Sequence, residues 1–270
     1  MSMKYKLLCI DIDGTLLDDE KRVPIQVKKS LKNAYDRGVK VALASGRMPA
    51  GIELIEKELG IPCIKICNAG TYILMGENCI GAEYLSNSAM KDFYKRYALS
   101  RDIPLWIFRG KEWYVTGIDK YIEQEINIIP KKPHMVDVEQ LADEWDKDGI
   151  KPNKLLVAAD VEILQEIYRE IRAYNSKELD MARSADTFIE IFPKGVSKGK
   201  ALRTICEELN IDIAETIAIG DQELDIPMIE AAGIGIAMGN AISDLKEKAD
   251  FVTRTNNEAG IAYALEQFLL

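Results

Sequence analysis

Two carboxylates follow a short apolar run near the start of the chain. In "LLCIDIDGT", residues Leu7 to Ile10 lead into Asp11, and Asp13 comes one residue later. Such a run predicts a fully buried strand, where burial disfavours the charged form of a carboxylate. A single acid at a strand end most often caps a helix or forms a turn, but a metal ligand and a nucleophile are the chemical alternatives.

A second pair of acids lies far along the chain, in "TIAIGDQELD". Asp221 and Asp225 are four residues apart, so they share a face if this loop begins a helix. Carboxylates that converge at one sheet edge repel one another unless a cation joins them, and oxygen-only ligation suits Mg²⁺. The only histidine is His134, which excludes a histidine-built zinc site. A Ser-His-Asp triad would depend on that one residue.

Two cationic residues accompany these acids. Arg47 follows Ser45 in "ASGR", and Lys198 lies in "GVSKGKAL", ahead of a predicted helix. A lysine or arginine in a loop is usually exposed to solvent. The presence of Asp11 and Asp221 in the same set of motifs instead favours a role for Arg47 and Lys198 in binding an anion. The net charge of −9 repels anions at long range, so an anion site must be made locally.

The elements that position these residues alternate between strand and helix. Such alternation predicts a parallel sheet with right-handed crossovers, whose ligands gather at the carboxyl ends of the strands. Asp11, Ser45 and Asn68 all fall at such ends. The first third predicts strands at 5–12, 39–44 and 64–67 and helices at 24–37 and 51–59, and the alternation returns after residue 195.

The middle of the chain, residues 84–194, has a different pattern. It contains predicted strands at "PLWIF", "EWYVT", "KLLVAA" and "TFIEIF", helices around 88–99, 121–128 and 161–173, and most of the aromatic residues. We interpret it as a separate α+β domain inserted into a first domain formed by residues 1–83 and 195–270.

Composition limits the partners and the compartment. A chain of 270 residues, 47% hydrophobic and 29% charged, can form one large domain or two moderate ones. The acidic balance gives no indication of nucleic acid or anionic membrane as a partner, and the first apolar run is too short for a signal peptide or a membrane span. Five cysteines without a Cys-x-x-Cys pair favour buried, reduced thiols in a cytoplasmic protein. The oligomeric state does not follow from the sequence.

Four motifs, "DIDGT", "ASGR", "GVSKGKAL" and "GDQELD", occur in an order that resembles the haloacid dehalogenase-like phosphatases. The long insert and "AGIGIAMGNA" resemble the Cof-type branch, and within it the YidA-like sugar phosphatases. This resemblance implies an α/β fold, with a Rossmann-like parallel-sheet core and an inserted α+β cap domain of the C2 type. It also implies a small phosphorylated metabolite as substrate, often a sugar phosphate.

The same resemblance implies roles for individual residues. Asp11 would attack phosphorus and form an aspartyl-phosphate, and Asp13 would act as general acid and then as general base. Mg²⁺ would be held by Asp11, the backbone carbonyl of Asp13, and Asp221, with Asp225 as close support. Phosphate-binding residues would be Ser45, Gly46, Arg47, Lys198 and Asn240.

One position departs from the pattern of many relatives, which read Gly-Asp-x-x-Asn-Asp. This chain has Leu224 in the asparagine position, so we expect retuned or reduced activity. Two alternatives to a phosphatase stay open: a phosphomutase or phosphotransferase with the same nucleophile, and a catalytically weakened metabolite-binding regulator. Retention of both Asp11 and Asp13 argues against the regulator, because binding alone needs no acid at position 13.

Overall fold

The computed structural model describes residues 4–174 and 176–269. By Cα proximity this part of the chain divides into two compact units. The first unit holds residues 4–47, 52–81 and 197–269, and the second, the inserted unit, holds 48–51 and 82–196.

The strands and helices are numbered in chain order. The strands are β1 (Leu7–Asp11), β2 (Lys40–Ala44), β3 (Ile64–Cys67), β4 (Tyr72–Met75), β5 (Asn78–Ala82), β6 (Leu105–Arg109), β7 (Glu112–Val115), β8 (His134–Met135), β9 (Lys154–Ala158), β10 (Leu179–Ala185), β11 (Phe188–Pro193), β12 (Thr216–Gly220), β13 (Ile234–Ala237) and β14 (Phe251–Val252). The helices are α1 (Ile25–Asp36), α2 (Pro49–Leu59), α3 (Asn87–Phe93), α4 (Lys120–Ile128), α5 (Val138–Asp148), α6 (Val161–Tyr174), α7 (Lys198–Leu209), α8 (Ile226–Ala231), α9 (Ser243–Lys248) and α10 (Gly260–Phe268).

The first unit is built on a sheet with the order β14-β13-β12-β1-β2-β3-β4-β5. The strands from β14 to β3 pair in parallel, and β4 turns back against β3. Every residue of β1 and β12 is buried, as expected for strands covered on both faces. Because Ile10 pairs with Ile219 and Asp11 pairs with Ala44, the loops after β1, β2 and β12 leave the sheet at the same edge.

The inserted unit has a second sheet, with the order β10-β11-β9-β6-β7-β8. One face of this sheet and its helices enclose a hydrophobic cluster that includes Leu105, Ile107, Leu155, Val157 and Trp145. Trp106 and Trp113 are also buried and pack together with ring centroids 5.5 Å apart. These indoles therefore belong to the packing of the unit, as is usual for large aromatic side chains.

The predicted α/β fold, a parallel-sheet core with an inserted α+β segment, is confirmed. Helix α5 is an addition, since no helix is predicted at 138–148 above. Its signals are the Asp137 N-cap, which accepts a hydrogen bond from the Gln140 amide, and a left-handed Gly149 at its end.

Two further features of the described chain bear on the predictions. Four of the cysteines are buried as predicted, but Cys79 is exposed. No helix in the residues with described structure combines the length and apolar character needed to cross a bilayer.

Candidate active site

Lys198 lies at the centre of the acidic cluster. The Ser197 hydroxyl caps α7 by accepting a hydrogen bond from the Lys200 amide, which places Lys198 at the first helical position. Its Nζ is 2.6 Å from Asp11 Oδ1 and 2.5 Å from Asp225 Oδ1, and all three side chains are buried. A buried ammonium between two carboxylates is fully paired, as a buried charge must be.

Asp225 is held from both sides. Its Oδ1 accepts from Lys198, and its Oδ2 accepts from the backbone amides of Asp221 and Gln222, each at 3.0 Å. A Cβ on Gly220 would lie 2.5 Å from the Asp225 Cβ, so a side chain at 220 would displace this carboxylate. Both Asp225 oxygens are thus engaged, and the residue fixes Lys198 and the turn after β12.

Thr15 connects the two halves of the cluster, a contact that the sequence analysis did not identify. Its Oγ1 donates to Asp221 Oδ1 at 2.6 Å, across 206 residues of sequence. Gly14, with φ +86°, allows this approach, because a Cβ there would lie 2.4 Å from Asp221 Oδ2. The only feature of the sequence that could have indicated this contact is the threonine that follows the glycine in "DIDGT".

The carboxylates of Asp11, Asp221 and Asp225 form a set that fits a divalent cation. Each offers an oxygen, these oxygens all lie within 4.8 Å of one another, and the three residues are buried. With the Lys198 ammonium, the three carboxylates in their charged form leave a formal charge of −2. Oxygen donors and a residual charge of −2 suit a hard divalent ion.

The pKa values of this cluster reflect burial opposed by ion pairing. Burial and the Asp225 carboxylate raise the pKa of Asp11 well above its ordinary value, against the opposing effect of Lys198. Burial also raises the pKa of Asp221, although its bond from Thr15 acts in the other direction. Burial disfavours the charged form of Lys198, but Asp11 and Asp225 more than compensate and raise its pKa. A bound cation would favour both carboxylates in their charged form.

Asp13 lies in a different environment from Asp11. Arg47 donates two hydrogen bonds to it, from Nε to Oδ2 and from Nη2 to Oδ1, both at 2.8 Å. Lys21, not identified from the sequence, adds a longer contact of 3.3 Å. Burial alone would raise the pKa of Asp13, but the hydrogen bonds and charge of Arg47 hold it below its ordinary value. Arg47 therefore contacts the second acid directly.

The loop after β2 brings Ser45 to the same edge. Ser45 is buried, its Oγ accepts from the Arg47 amide at 3.1 Å, and Gly46 lies between the two. The short turn after β3 meets this loop, because the Asn68 amide donates to the Arg47 carbonyl and the Ala69 amide to the Ser45 carbonyl, each at 2.9 Å.

The side chain of Asn240 contacts the backbone of the loop after β1. Its Nδ2 donates to the Gly14 carbonyl at 2.8 Å, and its Oδ1 accepts from the Asn256 amide at 3.0 Å. Asn256 in turn donates to the Leu17 carbonyl at 3.0 Å. Both polar atoms of Asn240 therefore bind the protein. Leu224 is half-buried in a short 3₁₀ turn, and His134 is exposed.

The parallel sheet and the acidic centre at its carboxyl edge define the class of the protein: a hydrolase with the α/β fold of the haloacid dehalogenase type. The haloacid dehalogenase-like hydrolase family matches residues 8–265. The chain belongs to this family, and the resemblance inferred from the four motifs is confirmed.

Similar proteins match over nearly the full length. YxeH of Bacillus subtilis is 32% identical, covering 98% of this chain and 99% of its own. The 5-amino-6-(5-phospho-D-ribitylamino)uracil phosphatase YwtE of Bacillus subtilis is 30% identical, with 98% of each chain covered.

Solved structures give the same result. A haloacid dehalogenase-like hydrolase from Bacteroides thetaiotaomicron superimposes with a TM-score of 0.84 at 27% identity, covering 97% of this chain and 99% of the other. A subclass IIB sugar phosphatase, BT4131, gives 0.79 at 27% identity, covering 97% and 98%. The chain is thus an enzyme of the hydrolase family, and the prediction of a phosphatase agrees with these named relatives.

Proposed function

We propose that this hydrolase is a Mg²⁺-dependent phosphatase of small phosphate monoesters, with sugar phosphates as the substrate class. One observation carries the proposal: Asp11 ends β1 and Asp13 follows two residues later, but their partners differ, Lys198 for the first and Arg47 for the second. Two nearby carboxylates with different environments are suited to two different chemical roles.

In the first step an oxygen of Asp11 attacks phosphorus, and the bond from phosphorus to the ester oxygen breaks. The bonding electron pair leaves with the ester oxygen, which takes a proton from Asp13. Arg47 keeps the Asp13 pKa low before substrate binds. The negative charge of an arriving phosphate raises that pKa, which favours the protonated form that this step needs.

In the second step a water molecule attacks the phosphorus of the aspartyl-phosphate. Asp13, now a carboxylate, accepts the proton of the water, and the bond between phosphorus and the Asp11 oxygen breaks. The products are inorganic phosphate and a free Asp11 carboxylate. Arg47 again stabilises the charged form of Asp13 through its two hydrogen bonds.

The remaining residues bind and orient the phosphoryl group. Lys198 fixes Asp11 by holding Oδ1 and supplies positive charge against the transition state. Ser45 and Arg47 would donate hydrogen bonds to phosphoryl oxygens. Asp11 and Asp221 would hold the metal, with the Asp13 backbone carbonyl, while Asp225 supports them through Lys198. When bound, the ion offsets the repulsion between the carboxylates and the phosphate.

Hydrolysis of p-nitrophenyl phosphate tests the proposal. Activity should be lost in excess EDTA and should return with Mg²⁺. Asp11→Asn should abolish both turnover and the trapped aspartyl-phosphate, since the amide cannot act as the nucleophile. Full turnover in EDTA would exclude the metal, and an active Asp11→Asn variant would exclude the nucleophile.

A further inference from the structure

The turn that follows β3 has an unusual backbone. Three consecutive residues, Asn68, Ala69 and Gly70, have positive φ angles of 51°, 60° and 105°. Residues other than glycine rarely adopt this region, and such conformations persist only where the surroundings hold them in place. The Thr71 side chain contributes, because its Oγ1 donates to the Asn68 carbonyl at 3.0 Å.

One side of this turn holds the loop that carries Ser45 and Arg47. The amides of Asn68 and Ala69 donate to the carbonyls of Arg47 and Ser45, each at 2.9 Å. In this left-handed turn, two consecutive amides therefore donate to the same neighbouring loop. The turn thus fixes both ends of the three-residue segment after β2.

The other side of the turn lies against the start of α7. A Cβ built on Gly70 would be 2.8 Å from the Ser197 carbonyl oxygen and 3.2 Å from the Lys198 nitrogen. The turn therefore touches the backbone of Lys198 with no space for even a methyl group. A rigid element packed between two groups sets their separation.

The Asn68 side chain does not explain why the turn is there. It is completely buried, and neither polar atom of its amide has a hydrogen-bond partner among the described residues. An amide without partners holds nothing in place. Asparagine is, however, one of the residues that best tolerates the left-handed region, so the backbone conformation accounts for its presence.

We propose that residues 68–70 are a positioning turn, which fixes the Ser45–Arg47 loop relative to Lys198. The inference rests on the proposed function, in which these groups bind one phosphoryl group. Gly70 is the positioning residue, because its missing side chain allows the contact with Ser197 and Lys198.

The test compares Gly70→Ala with Gly76→Ala. Gly76 also has a positive φ, 61°, but a Cβ there meets nothing within 4 Å. Both variants place a non-glycine residue at a positive φ, with the greater backbone strain at Gly70, where φ is 105°. Only the new Cβ at position 70 would press on the backbone of Ser197 and Lys198. Since a shift of about 1 Å can cost about 10²-fold in rate, we expect Gly70→Ala to lose about 10–100-fold in kcat/KM on p-nitrophenyl phosphate. Calorimetry should also show weaker binding of inorganic phosphate, and Gly76→Ala should change neither.

The melting temperatures of the two variants provide the stability reference. Equal losses of kcat/KM and phosphate affinity in both glycine variants would overturn the proposal. An inactive wild-type protein would instead overturn the proposed function, while the phosphate-binding comparison still tests the turn.

A second pair of variants, both at Asn68, tests the proposal if Gly70→Ala does not fold. Asn68→Gly retains access to the positive φ and removes the amide, so it should keep phosphate affinity and kcat/KM. Asn68→Val places a β-branched residue where φ is 51° and should lose both. Loss of activity in a stable Asn68→Gly variant would assign the role to the amide and contradict the positioning turn.

Discussion

Asp11 and Asp13 are two residues apart, yet their burial and their ion-pair partners differ. Asp11 is buried and paired with Lys198, whereas the Asp13 side chain is 41% exposed and paired with Arg47. A partly exposed acid can exchange protons with water and with a leaving group, while a buried, oriented one is suited to nucleophilic attack. The difference in environment is the physical basis for the proposed division of labour.

Asp13→Asn should keep substrate binding and lose most of the turnover. The amide retains an acceptor for Arg47 but cannot supply or accept the proton, and one acid–base group typically contributes about 10²–10⁴-fold. The measurement is kcat and KM with p-nitrophenyl phosphate. Lys21→Gln is the matched control, because Lys21 makes only a 3.3 Å contact to Asp13 and is 66% exposed. A wild-type kcat in Asp13→Asn would contradict the assigned role.

Leu224→Asn should fold and should raise activity modestly. Leu224 is half-buried in the 3₁₀ turn Glu223–Asp225, so replacing it removes little core packing. A restored hydrogen bond near the metal or phosphate is worth about 0.5–1.5 kcal/mol, which limits the gain to roughly tenfold. The readouts are kcat, the Mg²⁺ dependence and the melting temperature, with Leu224→Ala as control. Failure of both variants to fold would show instead that Leu224 is needed for packing.

The turn after β1 depends on side chains from the end of the chain. Asn240 binds the Gly14 carbonyl, Asn256 binds the Leu17 carbonyl, and Asn257 binds the Asp19 carboxylate at 2.8 Å. Hydrogen bonds from Asn257 and Asn256 hold the pKa of Asp19 below its ordinary value. The segment that carries Asp13 is therefore held by residues that are remote in sequence.

Asn256→Ala should destabilise the fold and slow turnover. Its bond to the Leu17 carbonyl is buried, and leaving a buried carbonyl without a partner costs about 1–3 kcal/mol. Loosening residues 13–19 should lower kcat more than it changes KM. Urea unfolding and steady-state kinetics measure the two effects.

Asn257→Ala is the control for this prediction, because Asn257 is exposed. It should lower stability only slightly, because the contact to Asp19 is exposed, and this small loss should be present at neutral pH and disappear in acid. In both variants the pKa of Asp19 should rise toward its ordinary value, which NMR titration can follow. A lowered folded-state pKa stabilises the protein above the unfolded pKa, and this contribution is lost as pH falls through the folded value. Unchanged stability and kcat in Asn256→Ala would show that the turn is held elsewhere.

The residues proposed to carry out the reaction are found in one of the two units. All the proposed catalytic, metal and phosphate groups lie in the first unit, whereas the inserted unit has a hydrophobic cluster of its own. Phosphate-directed groups do not distinguish one leaving group from another. We therefore propose that discrimination among substrates depends on the inserted unit.

Replacing residues 84–194 by a short Gly/Ser linker should leave slow hydrolysis of acetyl phosphate and remove discrimination among sugar phosphates. The catalytic groups stay in place, while the residues able to recognise a leaving group are lost. The measurement is the ratio of kcat/KM values across a sugar-phosphate panel, in a variant shown by circular dichroism to be folded. An unchanged order of preference would place specificity in the first unit.

The alternation of buried strands and helices was sufficient to predict the parallel sheet and the edge at which Asp11, Ser45 and Asp221 meet. This works because strand burial is a local property of the sequence, and because parallel strands place their carboxyl ends at one edge. Helix α5 is not among the predicted helices, although its two caps, Asp137 and Gly149, are also local features of the sequence.

Contacts between remote side chains needed the folded structure. Thr15 donates a hydrogen bond to Asp221, which is 206 residues away in the sequence. Two nitrogens of Arg47 donate to Asp13, and Asn240 donates to the Gly14 carbonyl. No spacing in the sequence specifies these pairs, because the direction of each side chain depends on rotamers and loop geometry that packing selects. The local pattern of the chain decides which residues reach the edge of the sheet. Tertiary packing decides which atom faces which partner, and through that the charge and the role of each group.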